Sequence, residues 1–157
     1  MKKSELIYGA IVAVKGNEAN RLKVNAITPK KIQYVNEKRQ PEYYRYSQLV
    51  PVALNDFILK QLGFEERNVR FGKTLSREDL VLVLVNKKDE NDFYTITVEK
   101  DSEVGVNNYR AVHIDDNHYS SVGFGYARDV HELQGLIFST IKMHLNTEKL
   151  LECCGEE

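Results

Sequence analysis

Cysteine is scarce in this chain. Two of its 157 residues are cysteines, Cys153 and Cys154, side by side near the C-terminus. Two such residues build no disulfide framework. Neighbouring cysteines cannot both reach one tetrahedral ion comfortably, and no Cys-x-x-Cys or Cys/His pair supports them. They read either as a redox-sensitive vicinal pair or, more simply, as free thiols on a frayed tail. Reduced thiols point to the cytoplasm. Long apolar runs are also lacking. The longest, Leu80 to Val85, falls far short of the ~20 residues a membrane span needs, so no membrane partner is expected. The opening MKKSELIYGAIVAVKG carries a glutamate and no small-residue cleavage site, which argues against a signal peptide.

What is present is the composition of a soluble globular protein. Hydrophobic residues make up 42%, charged 29% and aromatic 10%, which excludes a collagen-like, low-complexity or disordered chain. The length allows one domain or two small ones. The formal net charge of −1 conceals an asymmetry: residues 1–50 hold ten Lys or Arg against four Asp or Glu, residues 51–157 twelve against nineteen. The split suggests an anionic partner for the first part, attraction between the parts, or the ordinary charge drift of solvated modules.

The first fifty residues read as short strands: Ile7 to Val14, Leu22 to Ile27 with period-two alternation, Ile32 to Val35, and Tyr43 to Val50, separated by turn residues. Four strands at this spacing predict a strongly bent sheet or SH3-like barrel. A helix follows Pro51. Asn55 suits the N-cap and Asp56 the first turn. Leu54 and Leu59 are placed as a hydrophobic staple, and Leu54, Ile58 and Leu62 recur at spacing four. Gly63 and Phe64 fit the left-handed and apolar positions of a Schellman end. Strands then resume. Leu80–Val85, without a polar side, reads as a central strand, followed by Phe93–Val98, Tyr109–Ile114 and Tyr119–Tyr126. A second helix starts after Asp129, with Glu132 completing a capping box and Val130, Leu133, Ile137 and Ile141 on one face. It is expected to run to Leu145.

Two stretches, YSQLVPVALNDFILKQLGFE at 46–65 and DVHELQGLIFSTI at 129–141, resemble a group of short proteins without assigned activity from gut bacteria, their phages and mobile elements. The matching residues are Leu49-Val50-Pro51-Val52, Leu62-Gly63-Phe64-Glu65 and Val130-His131-Glu132-Leu133-Gln134. The resemblance implies a β-rich N-terminal part, a capped helix, a C-terminal helix, and a phage or mobile-element setting. It implies no reaction. The chain departs from the group after Phe138, where Ser139 to Leu145 replace a shorter end.

The expected fold is α+β, mainly β: a small SH3-like, barrel-like module over 1–50, then an antiparallel meander sheet with two helices, near 55–63 and 129–145, over 51–157. No catalytic set, metal set or cofactor motif emerges. His113, Asp115, Asp116 and His118 crowd one hairpin and raise a metal-dependent enzyme as an unfavoured alternative, but Asp115-Asp116-Asn117 is equally turn chemistry. His131 falls at the second helical position and reads as structural. Gly123-Phe124-Gly125-Tyr126 lacks the rest of a phosphate loop and fits a kinked strand.

The basic, tyrosine-bearing N-terminal part is the most suggestive surface. Lys15, Arg21, Lys23, Lys30, Lys31, Lys38, Arg39 and Arg45 accompany Tyr34, Tyr43, Tyr44 and Tyr46. A positive groove with aromatic platforms binds nucleic acid. Alternate tyrosines also pack a core, and lysines also keep a surface solvated. The expected function is therefore a non-enzymatic binding or accessory protein. Its partner would be another protein, a second copy paired through Leu80–Val85 at a sheet edge, or, alternatively, nucleic acid held by Lys15, Arg21, Lys23, Lys30, Lys31, Arg39, Tyr44 and Arg45.

Overall fold

The computed structural model describes residues 1–36, 38–70, 78–87, 93–100, 109–116 and 121–152. They form a mixed α and β structure, mainly strand, that divides into two compact units: 1–53 together with 129–157, and 54–128.

In the first unit, β1 (Ile11–Val14), β2 (Asn17–Lys23) and β6 (Leu49–Pro51) form an antiparallel sheet in the order β2-β1-β6, and β3 (Ala26–Ile27), β4 (Lys31–Val35) and β5 (Pro41–Arg45) form another in the order β3-β4-β5. The stretch 22–27, expected as one strand, is shared between them. The Val24 amide donates to the Ala10 carbonyl at 2.9 Å, and the next amide, of Asn25, donates to the Gln33 carbonyl at 2.8 Å. One residue thus carries the chain from the first sheet to the second. Val24 is anchored there in a core with Ala10, Val12, Leu22, Ile32 and Leu49. A 3-10 turn at Tyr46–Gln48 returns the chain beside β1. The first expected strand is shorter than its apolar run, because Gly9 turns the chain at φ +85 before Ile11.

The expected barrel closure is not made. The two sheets stay separate among the described residues, and the two-residue β3 is too short to carry a ladder from one sheet into the other.

The C-terminal helices belong to this unit, not to the meander as the 51–157 division supposed. α2 (Val130–Ile141) buries Val130, Leu133 and Ile137, and its first amide donates to the Val52 carbonyl at 2.9 Å. Its decisive tie is Gln134. The Ile11 amide donates to Gln134 Oε1 at 2.8 Å, and Gln134 Nε2 donates to the Gly9 carbonyl at 2.9 Å. Asp129 sits at the N-cap as expected but forms no side-chain cap bond, so the capping box is not built. The helix ends four residues before Leu145, because Lys142 adopts a left-handed conformation at φ 54. In the irregular segment that follows, Leu145 and Thr147 are buried. Of the tail LLECCGEE expected to fray, the first three residues belong to α3 (Glu148–Glu152), whose Leu150 is fully buried; the rest, with Cys153 and Cys154, lies outside the described residues.

The second unit is a meander. α1 (Asp56–Gln61) precedes β7 (Glu65–Arg70), β8 (Glu78–Lys87), β9 (Phe93–Lys100), β10 (Tyr109–Asp116) and β11 (Ser121–Ala127), paired in sequence order. The start and stop of α1 are those its residues dictate. Asn55 Oδ1 accepts from the Ile58 amide at 2.7 Å, a cap worth roughly 1 kcal/mol. Gly63 turns at φ +99, and the Phe64 amide closes the Schellman motif on the Leu59 carbonyl at 3.0 Å. Leu54, Ile58, Leu59, Leu62 and Phe64 are all buried. A Cβ on Gly63 would meet Leu84 of β8 at 3.3 Å, which places the end of α1 against the sheet face carrying Leu84 and its cross-strand neighbour Ile96. β8 is paired on both sides, with β7 and β9. Leu80–Val85 is therefore an interior strand and offers no edge for the subunit pairing considered above. No helix of the described residues is long and apolar enough to cross a membrane.

The Gln134 bridge sets a stability test. Gln134→Leu keeps the volume but leaves the buried Ile11 amide and the Gly9 carbonyl without their partner. It is expected to cost roughly 2 kcal/mol, read as a lowered urea midpoint. An unchanged midpoint would show that the bridge is not needed to hold α2.

Candidate functional site

The first unit holds an open cleft of about 600 Å³. β2 supplies Asn20, Arg21, Leu22 and Lys23 in succession. Successive strand residues point to opposite faces, so a strand lining a cleft with four in a row presents its edge to it. β2 is an outer strand of its sheet. The opposite wall is the β4–β5 hairpin, contributing Tyr34, Asn36, Lys38 and Glu42, and Leu151 of α3 lines the cleft as well.

The hairpin is organised by one side chain. Asn36 Oδ1 accepts from the Lys38 amide at 3.0 Å and the Gln40 amide at 2.9 Å, and Asn36 Nδ2 donates to Glu42 Oε1 at 2.9 Å. Short polar side chains favour such turns because they reach their own backbone. Arg39, at φ 59, completes the tip. The Tyr34 hydroxyl donates to the other oxygen of Glu42. That hydrogen bond, with the one from Asn36, holds the Glu42 carboxyl below its ordinary range, and the same bond, with burial, raises the Tyr34 hydroxyl well above its own. The carboxylate in the cleft is thus engaged by its own wall. Across from it, Arg21 is buried and donates from Nη1 to the Leu150 carbonyl at 3.5 Å. Lys23 and Lys38 are exposed. Among the described lining residues the charged groups are thus Arg21, Lys23 and Lys38 with one engaged carboxylate, Glu42.

The residues proposed from sequence as one basic surface fall in three places. Arg21 and Lys23 line the cleft, joined by Lys38 and Tyr34. Lys31 and Arg45 stand opposite each other in the β4–β5 ladder, and Lys31 Nζ lies 4.5 Å from the centroid of the Tyr43 ring. Lys15, Lys30 and Arg39 are exposed at turns. Strand parity separates Tyr44 from Tyr43. Its ring packs 5.7 Å from that of Tyr34 beside the core, whereas its neighbour Tyr43 is 50% exposed. Tyr46 also packs against the core. His113 and Asp115 occupy alternate positions of β10 and so share a face; His118 lies outside the described residues. Gly123–Tyr126 forms part of β11, as read from sequence.

A second constellation went unread in the sequence. His131 is 2% exposed, and its Nε2 lies 3.6 Å from Glu5 Oε2, beyond hydrogen-bond length. Asp129, His131 and Glu132 bring one polar atom each within 4.8 Å of one another. The Asp-x-His-Glu spacing was legible as a cap, but Glu5, 126 residues earlier, was not legible as its neighbour. Burial pushes the His131 pKa below its usual 6.5, against the opposing pull of the Glu132 and Glu5 carboxylates.

No family model, curated protein or solved structure matches the chain.

The sign of the His131 shift gives a pH test. Below pH 6.5 the unfolded chain takes up a proton that the folded chain resists, so stability falls as the pH drops through 6.5 toward the lower folded value. Urea unfolding in a chelating buffer is expected to show this loss, and His131→Gln to flatten it. Parallel pH profiles for the two proteins would refute the assignment.

Proposed function

We propose that the protein is a non-enzymatic binding protein whose first-unit cleft receives an acidic, extended segment of a partner protein. The observation that carries this reading is the combination of an outer strand edge with three cations in one cleft. The edge of β2 offers backbone groups for strand addition. Arg21, Lys23 and Lys38 supply charge complementary to carboxylates, which favours fast encounter and fixes register. The volume, about 600 Å³, lies in the range of ligand-binding clefts. The strand order, with β2 passing directly into β3 of a second small sheet and a 3-10 turn before β6, supports reading this unit as an open SH3-like module. The resemblance of 46–65 and 129–141 supports a phage or mobile-element setting, and the scarcity of cysteine supports the cytoplasm.

A selection from a random dodecapeptide display library tests the reading. Peptides rich in Asp and Glu are expected to be enriched on the wild-type chain and lost on Lys23→Glu/Lys38→Glu. Enrichment that ignores both substitutions, or none above background, would refute it.

The exposed Tyr43 beneath Lys31, with Arg45 alongside, favours nucleic acid as a second reading, since a single strand stacks on such a platform. That reading requires a fluorescent single-stranded oligonucleotide to bind at low salt, to lose roughly tenfold or more in affinity at physiological salt, and to be released by Lys31→Glu/Arg45→Glu. Absence of binding at low salt removes it.

A further inference from the structure

The start of α2 gathers side chains that the cleft does not use. His131 is the unusual member: it is 2% exposed, and neither ring nitrogen forms a hydrogen bond. Buried polar side chains are paired in nearly every folded protein, and an exception points to a water or an ion. Carboxylates are the nearest groups given for this imidazole, and the N-terminal amine adds a weaker opposing charge. The ligand atoms of Asp129, His131 and Glu132 lie within 4.8 Å of one another, and Glu5 Oε2 approaches His131 Nε2 to 3.6 Å. One imidazole nitrogen with two or three carboxylate oxygens is a donor set for a first-row divalent cation. We propose that Asp129, His131 and Glu132, with Glu5 as a fourth donor, bind one divalent cation of the zinc class.

The physical balance favours such an occupant. The helix N-terminus opposes a cation, but the carboxylates of Asp129 and Glu132 stand beside the imidazole and Glu5 lies against its Nε2, so the negative groups of the position offset that partial charge. Zinc holds its nitrogen and oxygen ligands at about 2.0–2.2 Å, so ligand atoms already within 4.8 Å of one another need only side-chain rotations to close on it. Glu5 and Glu132 are exposed enough to rotate, while His131 is fixed by burial and sets the position of the site. The ion would clamp the turn at Lys3–Glu5 to the start of α2. The site is separate from the peptide cleft and stands or falls independently of it.

Calorimetric titration of zinc chloride into the full chain, stripped of metal beforehand, tests the proposal. Expected is uptake of one zinc per chain with micromolar affinity or better, weakened roughly tenfold or more by His131→Gln and by Asp129→Asn/Glu132→Gln, and retained in Cys153→Ser/Cys154→Ser, which removes the competing thiols. If His131→Gln does not fold, the Asp129→Asn/Glu132→Gln pair decides, because it changes the less buried donors. Absence of micromolar uptake overturns the proposal. So does uptake that survives the changes at 129, 131 and 132, or that vanishes with the cysteines.

Discussion

The buried carboxamide of Gln134 governs the first unit. It takes the Ile11 amide and gives to the Gly9 carbonyl, satisfying two backbone groups at the mouth of β1 and fixing a helix that lies more than 120 residues away in sequence. A buried backbone group without a partner is expensive, so the sheet and the helix each depend on the other for saturation. The apolar stripe of α2 would bury against many surfaces. The carboxamide makes this one specific, because here a donor and an acceptor stand at the spacing that its oxygen and nitrogen require.

The second constraint is the single-residue handover at Val24 and Asn25. It divides one run of sequence between two sheets and leaves β2 as an outer strand. The Asn36 hairpin then rises opposite that edge and engages its own acid, Glu42. The engagement of the cleft's described acid thus follows from how the hairpin satisfies itself. The charges counted over residues 1–50 say little about the cleft, because strand parity and turns scatter them over three surfaces.

What was legible in the sequence was local. Asn55, Gly63 and Phe64 announced the ends of α1, because caps act within one turn of the chain. The alternation and β-branching of the strands announced the meander, whose neighbours in sequence are neighbours in space. Long-range partners were not legible. Nothing in residues 129–141 reveals that their contacts lie on β1 and not on the preceding strands. Lys142 carries none of the usual marks of a left-handed stop, and the burial of Leu150 shows only once α3 is seen against its unit. Tyr43 and Tyr44 are alike in composition and differ only in register. The neighbourhood of His131 had the same obstacle, since Glu5 arrives from the other end of the chain.

The first unit is interrupted, and the interruption orders its assembly in time. Residues 54–128 form the second unit, so synthesis delivers that unit whole before Gln134 exists. Until then β1 has neither its helical cover nor its hydrogen-bonding partner. At translation rates of ~5–20 residues per second, the delay from residue 53 to residue 134 is about 4–16 s. Over that interval the face of β1 that α2 packs on stands uncovered, and the Ile11 amide lacks Gln134 Oε1. During biogenesis this surface is a natural landing place for a chaperone and the segment most exposed to misassembly.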